Sequence, residues 1–344
     1  MTEIEHHDIT SVTFSFVVPV YNEAESLPAF CAKLRSEADK LGQPYEIIFV
    51  DDGSTDESPE IIRSFHEDDD RVRYVSFSRN FGPQEAITAG YDYATGSAVI
   101  SLDADGQHPP EVIAELAAKW RQGYEVVCTV KAHTKDVSLP RRLAVKCVYR
   151  LIRLLTGMDV TDQTDFRLLD RKAVDAVRRV RERSRFLRGL VRWVGFRQTQ
   201  VRYEVADRLG GTPGYTLTKL ARMGSAGLFN FSAAPLRLIG LVGVAMAALA
   251  FVYAVVALIL WPVFGGAIIA NLVMLAIGLT GMQLAAVGIC GEYVGRIYDE
   301  AKGRPIYVVR EAVGFEQAEE KTHTQLQPSR IATPTEPSKI RLFT

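Results

Sequence analysis

Residues 238–261 contain no charged side chain, and residues 267–290 repeat the pattern with only Asn271, Thr280 and Gln283 as clearly polar members. No other feature of the chain restricts its architecture as much. A bilayer core asks for about 20 apolar helical residues, so each stretch is long enough to span it. Buried core helices are the bland alternative, but these rarely exceed about 15 residues without a polar face. Between the stretches lies Pro262-Val263-Phe264-Gly265-Gly266, which predicts a tight turn and hence a two-helix transmembrane hairpin over residues 237–291. Lys219, Arg222 and Arg237 precede the first stretch, and Arg296, Lys302 and Arg304 follow the second. Positive flanks stay inside, so the soluble domain and both termini are expected on the cytoplasmic side of the cell membrane. Trp261 suits the far interface, and residues 216–236 form a juxtamembrane segment suited to the near one.

At 344 residues the chain has room for one large domain besides this appendage. Its net charge of -1 gives no sign of a polyanionic partner, so nucleic acid is not expected. Cys31, Cys128, Cys147 and Cys290 lack metal-like spacing and read as free thiols. Residues 1–12 read as a flexible, acidic N-terminus without a basic-then-apolar secretion signal. Residues 292–313 return to charged, partly helical sequence, expected to pack near the membrane or another subunit. Residues 314–344 read as a disordered tail.

In the remaining soluble region, 13–215, β-rich apolar runs alternate with helical patterns. Strands are predicted at 13–20, 45–50, 72–77, 98–102 and 125–130, with helices near 27–41, 59–65, 83–94 and 110–122. Ser58-Pro59-Glu60 reads as an N-cap followed by proline at the first helical position. This alternation predicts an α/β domain, a mostly parallel Rossmann-like sheet with helices on both faces. Ligands of such sheets bind beyond the carboxyl ends of the strands.

Four consecutive strand ends carry polar clusters: Pro19 to Glu23, Asp51 to Asp56, Ser78 to Gly82, and Asp103 to His108. Asp103-Ala104-Asp105 is the sharpest, because two carboxylates one residue apart point to the same side and repel each other. A divalent cation removes the conflict. Oxygen-only ligands favour Mg²⁺ or Mn²⁺, with phosphate oxygens and water completing the octahedron. His108 reads as packing at the strand–helix turn rather than as a ligand. No Walker loop occurs and no G-x-G-x-x-G follows a strand, which disfavours P-loop ATPases and dinucleotide oxidoreductases. A metal diphosphate with base and ribose over the first two strands fits better: a nucleotide-diphosphate sugar.

The stretches VVPVYNE (17–23), DDGSTD (51–56), SRNFG (78–82), DADGQHPPE (103–111), TDFRLLDR (164–171), RFLRGL (185–190) and GFRQTQV (195–201) together resemble family 2 glycosyltransferases of the GT-A fold. The likeness runs from about residue 14 to 313 and is specific to polyisoprenyl-phosphate glycosyltransferases, such as bacterial undecaprenyl-phosphate glucosyltransferases and dolichyl-phosphate mannose synthase. The resemblance implies that Pro19, Tyr21, Glu23 and Asp52 seat base and ribose. Asp103 and Asp105 would act through the metal on the diphosphate, with Ala104 and Gln107 beside it. Asp165 would lie by the reacting sugar and acceptor, while Arg188 and basic residues near Arg141 would hold phosphates. Arg185 and Arg188 lie in one stretch, and their guanidinium forks suit phosphate oxygens; the alternative is a helix's solvated basic face. Two departures stand out: residues 133–146 lack an aromatic and carry Asp136, and Gly210 to Gly214 is glycine-rich where a basic residue is expected.

The implied reaction is inverting transfer of a hexose to a polyprenyl (undecaprenyl) monophosphate, with UDP and glucose favoured by the likeness and GDP the other candidate base. An acceptor phosphate with second pKa near 6 is mostly dianionic at pH 7 and already nucleophilic. Asp165 is thus either a base, as the family implies, or a positioner of Arg167 or a sugar hydroxyl. A processive polysaccharide synthase would need more membrane helices and usually Q-x-x-R-W; Arg192-Trp193 lacks the preceding Gln. A non-enzymatic membrane scaffold would not need the intact carboxylate pair. Gly278, Gly281, Gly288 and Gly291 give small faces suited to packing the hairpin or to a homo-oligomer.

Overall fold

The computed structural model describes residues 13–131, 150, 163–183, 185–204 and 234–315. The elements run β1 (Phe14–Val20), α1 (Leu27–Asp39), β2 (Tyr45–Asp51), α2 (Ser58–Asp68), β3 (Val72–Phe77), α3 (Pro83–Tyr93) and β4 (Ala98–Ser101). A 3₁₀ turn (Pro110–Val112) then leads into α4 (Ile113–Arg121). There follow β5 (Val126–Lys131), β6 (Gln163–Asp170), α5 (Arg171–Arg179), α6 (Leu187–Trp193), β7 (Gln198–Tyr203), α7 (Ala234–Ala301) and β8 (Val309–Val313).

The strands form one eight-stranded sheet in the order β7-β5-β6-β4-β1-β2-β3-β8. The β1–β2, β1–β4, β2–β3 and β5–β7 pairs are parallel, whereas β6 runs antiparallel to β4 and β5 and β8 antiparallel to β3. The first five strands, expected from their apolar runs, are all present. They read as continuous apolar runs because both faces are covered. Phe14, Phe16, Val18 and Phe49 face one core with Leu34 and Leu116; Val17, Ile48, Val50 and Phe77 face the other with Ile87 and Leu190. Fully burying one such side chain contributes about 1.5–3 kcal/mol, so these two faces set the stability. The helix α3 lies directly on β1: a Cβ on Gly90 would sit 2.0 Å from Val17 Cγ1.

Two stretches within α7, Leu236–Val256 and Asn271–Ala301, are long and apolar enough to cross a membrane, and neither is buried within the chain. They are therefore not core helices of this domain. In place of the predicted turn at 262–266, α7 runs on as one 68-residue helix, although Pro262 forfeits one hydrogen bond and the two glycines weaken the helix there.

The segment after α7, expected to pack near the membrane or another subunit, returns to the sheet. Strand β8 pairs with β3, Tyr307 stacks on Phe77 at 5.0 Å, and its hydroxyl donates to Asp92 at 2.8 Å. Phe315, placed by sequence in the disordered tail, packs on Tyr93 at 4.7 Å. Glu300 near the end of α7 accepts the Arg183 backbone N–H at 2.6 Å. The juxtamembrane expectation for 216–233, the terminus at 1–12 and the tail beyond 315 lie outside the described residues.

Candidate active site

The loops after β1 and β2 are knitted into one unit. Asn22, in the left-handed region at φ 54°, accepts the Thr55 N–H at 2.8 Å and donates its own N–H to Ser54 Oγ at 3.0 Å. Asp56 accepts from Ala24 at 3.1 Å, and Ser58 Oγ accepts from Glu23 at 3.0 Å. Ser58 is thus not the N-cap: it is the first residue of α2, buried, with its hydroxyl spent on the neighbouring loop. Gly53 (φ +70°) lets the 78–82 loop pass against it, since a Cβ there would lie 2.5 Å from the Arg79 carbonyl carbon. Tyr21 stands out from this cradle, 47% exposed, with Pro19 and Glu23 partly exposed beside it.

Asp52 has a task that its motif did not announce. It is buried, and its two oxygens accept the N–H groups of Phe81 (2.6 Å) and Gly82 (2.9 Å). It therefore clamps the third loop onto the second, and any contact to a ribose must use its remaining lone pairs. Burial pushes its carboxyl above the usual range, against the pull of these two backbone donors.

Ala104 packs into the core, which turns Asp103 and Asp105 outward on either side of it. The Asp103 side chain is 42% exposed, open to a ligand at the end of β4. Burial raises its carboxyl above the ordinary range, and the charges of Asp165 and Asp105 act in the same sense, opposed by Arg188. Asp105 Oδ1 accepts the Gln107 N–H at 3.0 Å. His108 is buried, stacks on Phe166 at 5.3 Å, and accepts the Asp103 N–H on Nδ1 at 3.0 Å. It packs at the turn, as its position suggested. Among the described residues no group of three or more His, Cys, Asp or Glu could hold an ion by itself. Two repelling carboxylates at the end of β4 do fit a divalent cation whose other positions come from diphosphate and water.

Asp165 joins this site from β6. The register Ser101↔Arg167 brings the start of antiparallel β6 alongside the end of β4. Ser101 Oγ, itself 3.1 Å from the Tyr91 hydroxyl, donates to the Asp165 carbonyl at 2.6 Å. The Asp165 carboxylate contacts Arg167 and receives Arg188 at 2.9 and 3.3 Å. Burial opposes its ionisation, but Arg188 and Arg167 outweigh that and hold the carboxyl well below the usual carboxylate range. Arg188 and Arg167 offset the Asp165 charge and part of that of the neighbouring carboxylate pair, and a guanidinium fork here suits a phosphate oxygen.

Arg185 does not share the corner. It is buried and turned back, donating to the Val180 carbonyl at 2.9 Å and the Val177 carbonyl at 3.5 Å, so it caps α5 instead of facing a ligand. Arg141 lies outside the described residues. Sequence inspection missed Gln84, which reaches Asp165 at 3.4 Å, and Tyr203, whose buried ring packs on Phe166 at 5.9 Å and His108 at 6.0 Å. No local signal marks either one: their neighbours come from β6, α6 and the 103–108 loop.

A GT-A-like α/β sheet whose strand ends gather a three-loop cradle, a carboxylate pair and an arginine corner is the framework of a glycosyltransferase. Residues 15–178 match the glycosyl transferase family 2 model. The chain is 42% identical over 309 residues to an uncharacterized glycosyltransferase, YkcC, of Bacillus subtilis, covering 89% of this chain and 95% of that one. It is 38% identical over 311 residues to the undecaprenyl-phosphate 4-deoxy-4-formamido-L-arabinose transferase of Yersinia enterocolitica (89% and 95% covered). It is 35% identical over 301 residues to the bactoprenol glucosyl transferase of Shigella phage SfII (87% and 97% covered). Among solved structures it is similar to glucosyl-3-phosphoglycerate synthase from Mycobacterium tuberculosis, with TM-score 0.46, 19% identity, and 63% and 76% of the two chains covered. The chain belongs to glycosyl transferase family 2 and is a glycosyltransferase.

Proposed function

We propose that this enzyme transfers a hexose, glucose from UDP-glucose in the favoured case, to a polyprenyl monophosphate at the cytoplasmic membrane face, with inversion. The observation that carries this is the Asp165–Arg188 pair beside Asp103 and Asp105, a place for an anionic acceptor next to a place for a diphosphate. The bactoprenol glucosyl transferase and undecaprenyl-phosphate transferase relatives support the acceptor class.

Pro19, Tyr21, Glu23 and the Asp52-clamped loops seat the nucleoside. Asp103 and Asp105, with Gln107 beside them, would hold a Mg²⁺ or Mn²⁺ ion, whose chemistry would be to screen the charge of the leaving diphosphate. Arg188 holds the acceptor phosphate. One of its oxygens forms a bond to sugar C1 while the C1–O bond to the diphosphate breaks, the nucleoside diphosphate leaving with the electron pair. A dianionic acceptor has no proton to lose, so Asp165 serves by orienting Arg188 and Arg167 and not as a base.

The anchor adds proximity. A straight helix of 68 residues is about 100 Å long, over three bilayer cores. Keeping both apolar stretches in hydrocarbon therefore calls for a bend, and residues 262–266 with Pro262, Gly265 and Gly266 are the weakest point. That bend places residues before 236 and after 301 on one side, with the catalytic domain.

The test is purified protein with undecaprenyl phosphate, a panel of UDP- and GDP-sugars, Mg²⁺ or Mn²⁺, and detection of lipid-linked hexose by mass. Product from at least one donor, abolished by a chelator, is expected. No product from any donor would sink the proposal, and full transfer by Asp105→Asn would remove its metal component.

A further inference from the structure

The acceptor corner is wired to the donor loops through one amide, and we infer that Gln84 is the positioning residue that couples them. The path is continuous. Asp52 fixes the N–H groups of Phe81 and Gly82 at 2.6 and 2.9 Å, immediately before the first turn of α3. Two residues on, Gln84 Oε1 accepts the N–H of Leu187 at 3.0 Å, while its Nε2 faces Asp165 Oδ2 at 3.4 Å. That same Oδ2 receives Arg188 at 2.9 Å. Leu187 opens α6, whose own N-cap residue, Phe186, supplies no side-chain hydrogen bond. Gln84 thus supplies from α3 what α6 lacks, and sets where the neighbouring Arg188 begins its reach.

The rest of the middle of α3, Ala86 to Tyr91, is buried against β1 and β2, so packing already holds the helix. The amide of Gln84 is not needed for that packing, and it touches two elements that carry the acceptor corner. A shift of the 78–82 loop on nucleotide binding would carry the first turn of α3 with it, and Gln84 would pass this to Asp165 and Arg188. Because coupling between sites is reciprocal, bound acceptor also tightens nucleotide.

This rests on the proposed function, and the test separates the two. Wild type, Gln84→Met and the nearly isosteric Gln84→Glu are compared for affinity to undecaprenyl phosphate in detergent, with and without UDP and Mg²⁺, and for KM and kcat over pH 5.5–8. Thermal melts monitor folding. Wild type should bind acceptor several-fold more tightly with UDP. Gln84→Met should lose that enhancement and raise the acceptor KM about tenfold, the worth of one hydrogen bond, while UDP affinity without acceptor stays within twofold. Gln84→Glu should be poorer still at pH 8 and recover toward wild type as pH falls, because the protonated acid donates to Asp165 as the amide does. Overturning results are an unchanged UDP enhancement in Gln84→Met, an equal loss of nucleotide and acceptor affinity, or a Gln84→Glu profile parallel to wild type. If wild type itself makes no product, the functional proposal falls instead.

Discussion

Replacing Asp165 by Asn separates the two roles open to that carboxylate. Acting as the base that limits activity at acid pH would require its pKa to lie near 6. The ordinary value is about 3.9, and each unit is worth about 1.36 kcal/mol, so environment would have to disfavour the charge by roughly 3 kcal/mol. The contacts act in the opposite direction: burial raises the pKa, but Arg188 at 2.9 Å and Arg167 in contact overcome it. Asp165 is therefore ionised throughout pH 5–8 and a poor proton acceptor. For a depressed carboxylate, the stabilisation is present above the unfolded pKa and is lost only as pH falls through the lower folded value. The Asp165 ion pairs consequently stay intact over the assay range.

The acid limb of kcat/KM for the acceptor should then belong to the acceptor. With a second phosphate pKa near 6, the dianion falls from about nine-tenths at pH 7 to about one-tenth at pH 5, roughly a tenfold loss. Asp165→Asn should lower the whole profile about 100-fold through misplacement of Arg188, and leave the limb where it was. An acceptor analogue with a shifted phosphate pKa should carry the limb with it. Stability falls too, because Arg167 is 1% exposed and loses its counter-charge. Breaking such a pair costs about 3–5 kcal/mol, and Asn keeps one acceptor, so the lower end is expected. That corresponds to roughly 6–12 °C in Tm for a domain of this size, which a melt checks, and assays belong well below it. Disappearance of the acid limb in Asp165→Asn would refute the positioning role and restore the base.

Perturbations at four other positions have equally direct readouts. Arg188→Ala should chiefly raise the acceptor KM, at least tenfold, with a smaller loss of Tm because Asp165 keeps Arg167 as a partner. Arg185→Ala should do the reverse, costing about 1–3 kcal/mol of stability by stripping the Val180 and Val177 carbonyls of their donor; a selective acceptor-KM effect would put Arg185 back in the site. Gly53→Ala forces a Cβ to 2.5 Å from the Arg79 backbone at φ +70°, so a loss of about 1–3 kcal/mol and a raised nucleotide-sugar KM are expected, measured by melts and kinetics. Tyr307→Phe should cost about 1 kcal/mol for the hydrogen bond to Asp92, and Tyr307→Ala about 3 kcal/mol by also removing the stack on Phe77; equal melts for both would show that the ring contributes nothing.

The first five strands were legible because each is a buried apolar run ended by a polar cluster. Strand β6 was not, because its Asp165 and Arg167 interrupt the period, and a fully buried arginine defeats any reading of charge as surface. Strand β8, Val309–Val313, is short and half charged, and its partner β3 lies more than two hundred residues away in sequence. At the site, adjacency alone revealed Asp103 and Asp105. Arg185 and Arg188, three residues apart, look like one helical face, but α6 begins at Leu187. Arg185 therefore precedes the helix and its side chain is free to turn the other way.

The reversal of β6 is what brings the arginine corner to the carboxylate pair. A purely parallel sheet offers its ligand rim only strand-end loops, and here those of β1 to β4 build the proposed donor cradle and its carboxylate pair. An antiparallel strand brings its beginning to the same rim, so Thr164, Asp165 and Arg167 enter beside Asp103 through strand residues held in register by Ser101↔Arg167. Strand residues are placed more rigidly than loop residues, which suits a group that must orient two guanidiniums in contact distance. Arg188 arrives from α6, whose start depends on Gln84 in α3 and whose preceding segment is tied through Arg183 to Glu300 at the end of α7. The residue proposed to hold the lipid phosphate is thus flanked by a contact to the donor side and a contact to the membrane helix. Loosening either contact should impair acceptor use before it impairs nucleotide binding.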